Sequence, residues 1–125
     1  MIGLALSLAA TLQTSPRLLE IPRPFWGEYN EVLHDCGTGN NDTRLRISWD
    51  RLRFYESEGD LRELIRHPDG SVTIAAEHRG EGQTWRTLYN LRLSPDSFRL
   101  TVTHAQDGEI EQVESTRFRC PVQGF

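Results

Sequence analysis

The sequence predicts an all-β fold, a small antiparallel up-and-down barrel of about eight strands, preceded by a signal-peptide-like N-terminal segment. Three observations predict it. From Phe25 onward, short segments alternate apolar with polar residues. Gly, Pro, Asn or Asp ends nearly every one of them. The two cysteines, Cys36 and Cys120, fall beside the first and last of these segments, which a closed barrel makes neighbours. At 125 residues and 14.4 kDa the chain holds one domain, read as residues 24–125 behind a signal peptide and flexible lead-in over 1–23.

The leader reading rests on the almost continuously apolar or small run from Ile2 to Leu12, the small residues Ser7, Ala9 and Ala10, and Pro16 beyond. A run of about eleven residues is too short to cross a hydrocarbon core that needs about twenty, so no transmembrane anchor is expected. No Lys or Arg precedes the run, which departs from the usual leader pattern, and no Cys follows it to take a lipid.

Leu45, Ile47 and Trp49 alternate with Arg44, Arg46 and Ser48, and Leu52 and Phe54 with Arg51 and Arg53. That pattern predicts a hairpin turning at Trp49-Asp50-Arg51 with four arginines on its outer face. Leu61 to Ile65 fits one helical turn as well as a strand. Val72, Ile74 and Ala76 form an inward row. The longest row is Trp85, Thr87, Tyr89, Leu91 and Leu93; across Ser94-Pro95-Asp96 it is followed by Phe98, Leu100 and Val102, and finally by Phe118 and Cys120. Further turns are expected at 37–42, 58–60, 68–70, 80–82 and 106–108. Inward Tyr29, Trp49, Phe54, Trp85, Tyr89, Phe98 and Phe118 are bulky enough to plug a barrel of this size, leaving a shallow mouth rather than a deep cavity.

Two cysteines in an exported chain most simply pair, and a Cys36–Cys120 bridge closes a loop for which chain entropy gives about 4.5 kcal/mol. The expected compartment is therefore the periplasm or the exterior. A formal net charge of -4 and a pI near 5.5 argue against a nucleic-acid binder, which needs clustered positive charge. All 14 basic residues are Arg, a skew that codon bias explains as well as anion recognition does.

Catalytic and metal signatures are weak. In His34-Asp35-Cys36 a disulfide removes the thiol, and three consecutive residues of an extended chain cannot converge on one ion; His67, His78 and His104 lack ligand spacing. Gly80-Glu81-Gly82 has no strand-to-helix context for a phosphate loop and reads as a hairpin turn. No cofactor, metal or catalytic residue is expected. The candidate binding residues are the rim group Tyr55, Glu56, Glu81 and Trp85, and the arginine face Arg44, Arg46, Arg51 and Arg53, whose simpler explanation is pairing with Glu or Asp on adjacent strands.

Phe25-Trp26-Gly27-Glu28-Tyr29, Asn41 to Leu45, Arg51 to Ser57 and Gly80 to Trp85 together resemble a group of small uncharacterised exported proteins of proteobacteria, alphaproteobacteria especially. The resemblance covers most of the chain after residue 24 and implies an envelope or secreted location and a compact β fold, with no activity to carry over. Gly27-x-Tyr29, with Arg117 and Arg119 in the last strand, also resembles the Gly-x-Trp and arginine pairing of lipocalins, Tyr standing where Trp is expected. The expectation is a monomeric, non-enzymatic envelope binding module acting through rim loops on an unknown partner, an anionic one among the candidates. Inhibition of a hydrolase such as lysozyme, or lipocalin-like carriage of a small ligand, are the alternatives.

Overall fold

The computed structural model describes residues 19–38, 41–106 and 111–122; the leader-like run from Ile2 to Leu12 lies outside them. Eight strands form: β1 (Gly27–Asn30), β2 (Leu45–Ile47), β3 (Arg51–Arg53), β4 (Glu58–Arg66), β5 (Val72–Gly80), β6 (Gln83–Leu93), β7 (Arg99–Gln106) and β8 (Val113–Arg119). Each pairs antiparallel with the next, and β1 also pairs with β8 through Tyr29 opposite Arg119 and Asn30 opposite Phe118. The sheet thus closes on itself, which removes both free edges.

One end of the barrel is shut by the chain that enters it. Ile21, in the stretch expected to be a loose lead-in, is wholly buried, and its amide donates to the Trp49 carbonyl at 2.7 Å. A 3-10 turn, Arg23–Phe25, follows and buries Phe25. Tyr29 donates its hydroxyl to the Phe25 carbonyl at 2.8 Å, and burial pushes the phenol pKa up to about 12 despite the nearby Arg119 charge. Arg119 lies against the Tyr29 ring, 4.9 Å from its centroid, and donates to the Ser97, Trp26 and Pro24 carbonyls at 2.8, 2.7 and 2.6 Å. Above this floor Leu45, Ile47, Leu52, Val72, Ile74, Leu91, Leu100 and Val102 fill the interior, as the alternation predicts.

The hairpin from β5 to β6 turns at Glu81-Gly82, with φ of 50° and 78°. Positive φ at both central residues gives the twist that joins antiparallel strands, though Glu81 adopts it without the freedom of glycine. In β4 the ambiguous Leu61 to Ile65 is a strand with a bulge between Leu61 and Glu63. The extra residue shifts the side-chain alternation, so inward Leu61 and Leu64 stand three apart and imitate a helical period.

Three of the large side chains expected inside are not there. Trp49 is exposed because the hairpin turns one residue earlier than expected: Ser48 N donates to Arg51 O at 3.0 Å, which puts Trp49-Asp50 in the loop and Arg51 in β3. Phe98 belongs to the turn before β7 and packs against Phe118 at 5.5 Å between ring centroids, on the outside. Phe118 and Cys120 face outward because β8 points Arg117 and Arg119 into the barrel. In a strand a slip of one residue moves every side chain to the other face, and here the apolar residues of β8 mark the wrong one.

The bridge between Cys36 and Cys120 is present. It sits over the outer face of the β1–β8 seam, where buried Asn30 donates its amide to Cys120 Sγ at 3.1 Å.

Candidate functional site

Among the described residues, nothing closes the end of the barrel opposite Arg119. Turn Phe54–Ser57, the hairpin loop at Glu81-Gly82, and the ends of β7 and β8 at Gln106 and Val113 surround it. Inside lies a cleft of about 530 Å3. Its lining follows from alternation. β6 supplies Trp85, Thr87 and Tyr89, β7 supplies Val102 and His104, and β8 supplies Val113 and Arg117. His78 enters from β5, Phe54 and Ser57 from the turn after β3, and Glu111 from the chain leading into β8.

The walls are aromatic. Phe54 stacks near Tyr89 at 5.8 Å and His78 lies flat against Trp85 at 5.3 Å, with ring planes 19° and 9° apart. Through the wall runs a polar chain: Ser57 Oγ to His78 Nδ1 at 3.1 Å, and His78 Nε2 to the Tyr89 hydroxyl at 2.6 Å. Burial raises the Tyr89 phenol well above its ordinary range, against the Thr87 hydrogen bond and the Arg117 charge, so the phenol keeps its proton. Burial also pushes the His78 pKa below its usual value, against the Asp60 charge and with help from His104.

Arg117 is the buried charge of the site, 9% exposed. Nε donates to the Thr43 carbonyl and Nη1 to Ser115 Oγ, both at 2.8 Å, and the guanidinium lies 5.9 Å from the Phe54 ring centroid. Burial lowers its pKa while Glu31 and Tyr89 raise it, yet an arginine stays charged at neutral pH. Among the described residues no carboxylate lies within ion-pair distance of it, although Glu111 lines the same cleft.

Of the residues predicted from sequence, the rim group comes together. A β-carbon on Gly80 would meet Glu56 O at 2.6 Å, Ser57 Cβ at 3.2 Å and Trp85 Cη2 at 3.3 Å, so the Glu56-Ser57 turn rests against Gly80 and Trp85. A hydrogen bond to Glu81, together with its charge, raises the Glu56 carboxyl above its ordinary range. Tyr55 is exposed beside them in a neighbouring outer cleft with Glu56, Glu58 and Arg79.

The arginine face is an ion-pair lattice on the outside of the barrel. Arg46 meets Glu28 at 3.2 Å, Arg51 meets Asp60 at 3.2 Å, and Arg53 meets Glu58 at 3.7 Å. Arg62 pairs with Glu77 at 2.6 Å, and Arg79 with Asp60 at 2.5 Å. Burial works against the Asp60 charge, but Arg79, Arg51 and Arg62 together hold its pKa low. Arg44 lines the outer cleft beside Arg53 and also has its own interaction partner. An outer face of alternating charges around an apolar interior is the reverse of a barrel seated in lipid. Among the described residues no helix is long and apolar enough to cross a membrane.

Sequence reasoning missed His78, His104, Ser57 and Arg117 as parts of one site. Extending the inward rows by two residues reaches the first two: Val72-Ile74-Ala76 continues to His78, and Leu100-Val102 to His104. For Arg117 the alternation of β8 gave no such signal, since its apolar residues face out; only the lipocalin-like arginine pairing singled it out. No protein-family model, curated protein or solved structure matches this chain.

Proposed function

We propose that this chain is an exported, non-enzymatic binding module that takes its ligand at the open end of the barrel. The observation that carries the reading is the difference between the two ends. At one end Ile21, Phe25 and Arg119 cover the interior, leaving a cleft of about 450 Å3 bordered by Pro22, Pro24, His67 and Arg92; the other end holds a cleft of about 530 Å3, within the range of small-molecule sites, that reaches the barrel interior between the Phe54, Trp85 and Tyr89 rings and carries Arg117. The Cys36–Cys120 bridge supports export, because disulfides persist in oxidising compartments. Rim residues Tyr55, Glu56, Glu81 and Trp85 frame the entrance and give a ligand its last contacts.

A fragment screen followed by amide NMR tests it. The expected result is that hits shift resonances of Phe54, Trp85, Tyr89 and His104. Hits that instead move the closed end around Pro24, His67 and Arg92 would sink the reading.

A further inference from the structure

Arg117 holds a full charge in a nearly sealed position and is satisfied on two sides by neutral groups only, the Thr43 carbonyl and Ser115 Oγ. Burying a guanidinium without a carboxylate is expensive, and a strand position opposite Leu100 can be filled by any aliphatic residue. The two neutral bonds fix the plane of the guanidinium. Among the described residues Nη2 has no hydrogen bond, and the group borders the cleft that Phe54, Trp85 and Tyr89 wall with aromatic rings. A fixed, largely buried cation with no carboxylate in ion-pair contact among the described residues, and with Nη2 unbonded at the edge of an aromatic cleft, is complementary to one kind of guest: a flat apolar body carrying a single negative head.

We infer that the open cleft is a receptor for small aromatic carboxylates, with Arg117 as the residue that binds the carboxylate. The inference rests on the reading of the open end as the binding site and adds the charge and shape of the ligand. The head group accepts from Arg117 while the ring lies among Phe54, Trp85 and Tyr89. Glu111 at the same mouth disfavours guests with a second negative charge. The flatness of the guest follows from the paired rings at 5.3 and 5.8 Å, which offer faces and edges rather than a tapered aliphatic channel.

The test compares 2-naphthoate with 2-naphthamide, equal in shape and different in charge, by calorimetry and by quenching of tryptophan fluorescence on the full disulfide-bonded protein. Wild type is expected to hold the carboxylate at least tenfold more tightly than the amide, and Arg117→Gln to abolish that preference while keeping the amide affinity. Circular dichroism checks that the variant folds. Should it not, the wild-type comparison still decides, with hexanoate as a third probe expected to bind more weakly than 2-naphthoate. Equal affinity for carboxylate and amide, both mapping to the cleft, overturns the anion inference and leaves the binding-site reading standing. Naphthoate bound elsewhere, or no binding of any probe at 1 mM, overturns the inference; only the mapping of unrelated fragments away from the open end overturns both.

Discussion

Replacing Cys36 and Cys120 together by alanine is expected to remove about 3–5 kcal/mol of stability. The bridge spans 84 residues of chain, and the entropy lost by the unfolded state on closing a loop of that size gives about 4.5 kcal/mol at 25 °C. The native side of the balance points the same way. β1 is only four residues long and meets β8 through Tyr29 opposite Arg119 and Asn30 opposite Phe118, whereas β5 and β6 pair from Val72 opposite Leu91 to Gly80 opposite Gln83. The seam is therefore one of the two shortest lateral joins of the barrel, with β2–β3, and unlike that hairpin it has no short loop to hold its strands together. Alanine at 120 also takes away the sulfur that Asn30 meets at 3.1 Å, leaving a buried amide less satisfied. For a domain of this size the loss corresponds to a fall in Tm of roughly 20–30 °C. Urea titration followed by tryptophan fluorescence measures it, with the reduced wild type as a parallel sample. The m-value should rise in the variant, because its unfolded chain is no longer cross-linked and exposes more surface. A loss under about 1 kcal/mol with an unchanged m-value would refute the reasoning and leave closure to strand pairing alone.

Three other outcomes follow from the same contacts. Arg119→Met removes three bonds to buried-end carbonyls and the contact with Tyr29, and is expected to destabilise by about 2–4 kcal/mol in urea, with Arg119→Lys recovering only part; an effect below about 0.5 kcal/mol would show that the floor does not depend on it. His78 has its pKa depressed by burial, so the unfolded chain binds the proton first: its contribution is complete above the unfolded value near 6.5 and is lost as pH falls below it, by up to about 1.4 kcal/mol per pH unit, until the folded form protonates. Urea midpoints between pH 7.5 and 5 should show this slope in wild type and lose most of it in His78→Asn; equal slopes would remove His78 from the account. Because Arg46, Arg51 and Arg53 of the arginine face are already paired with carboxylates, an Arg44→Ser, Arg51→Ser double variant should elute from heparin with wild type at moderate salt, and early elution of the variant would mark a functional anion surface there.

How much of this was legible in the sequence depended on whether a residue's polarity matched the face it occupies. β5 and β6 were readable because their apolar residues alternate inward without a break, as were the Glu81-Gly82 hairpin and the bridge between the ends. β4 was ambiguous because a bulge turns a period of two into a spacing of three. β8 was read with the wrong face inward because the barrel places arginines where aliphatic residues are the rule, and puts Phe118 against Phe98 outside. Trp49 was misplaced for a different reason: its carbonyl is needed at the turn to receive Ile21, a partner 28 positions away that no local pattern announces.

The two inverted residues of β8 do opposite things, and the contrast locates the site. Arg119 has its three nitrogens satisfied by carbonyls of Ser97, Trp26 and Pro24, so its charge serves to staple the entering chain and the turn before β7 across the closed end. Two residues earlier on the same strand, Arg117 is fixed by one carbonyl and one hydroxyl and faces open volume. A strand that needed only to close the barrel would carry the first arginine and an aliphatic residue at the second position. Keeping a desolvated charge there lowers stability in the empty protein, and that cost is offset once an acceptor enters from the open end. A larger gain in stability on adding a carboxylate than on adding its amide at the same concentration, lost in Arg117→Gln, is thus the signature that separates a receptor arginine from a structural one.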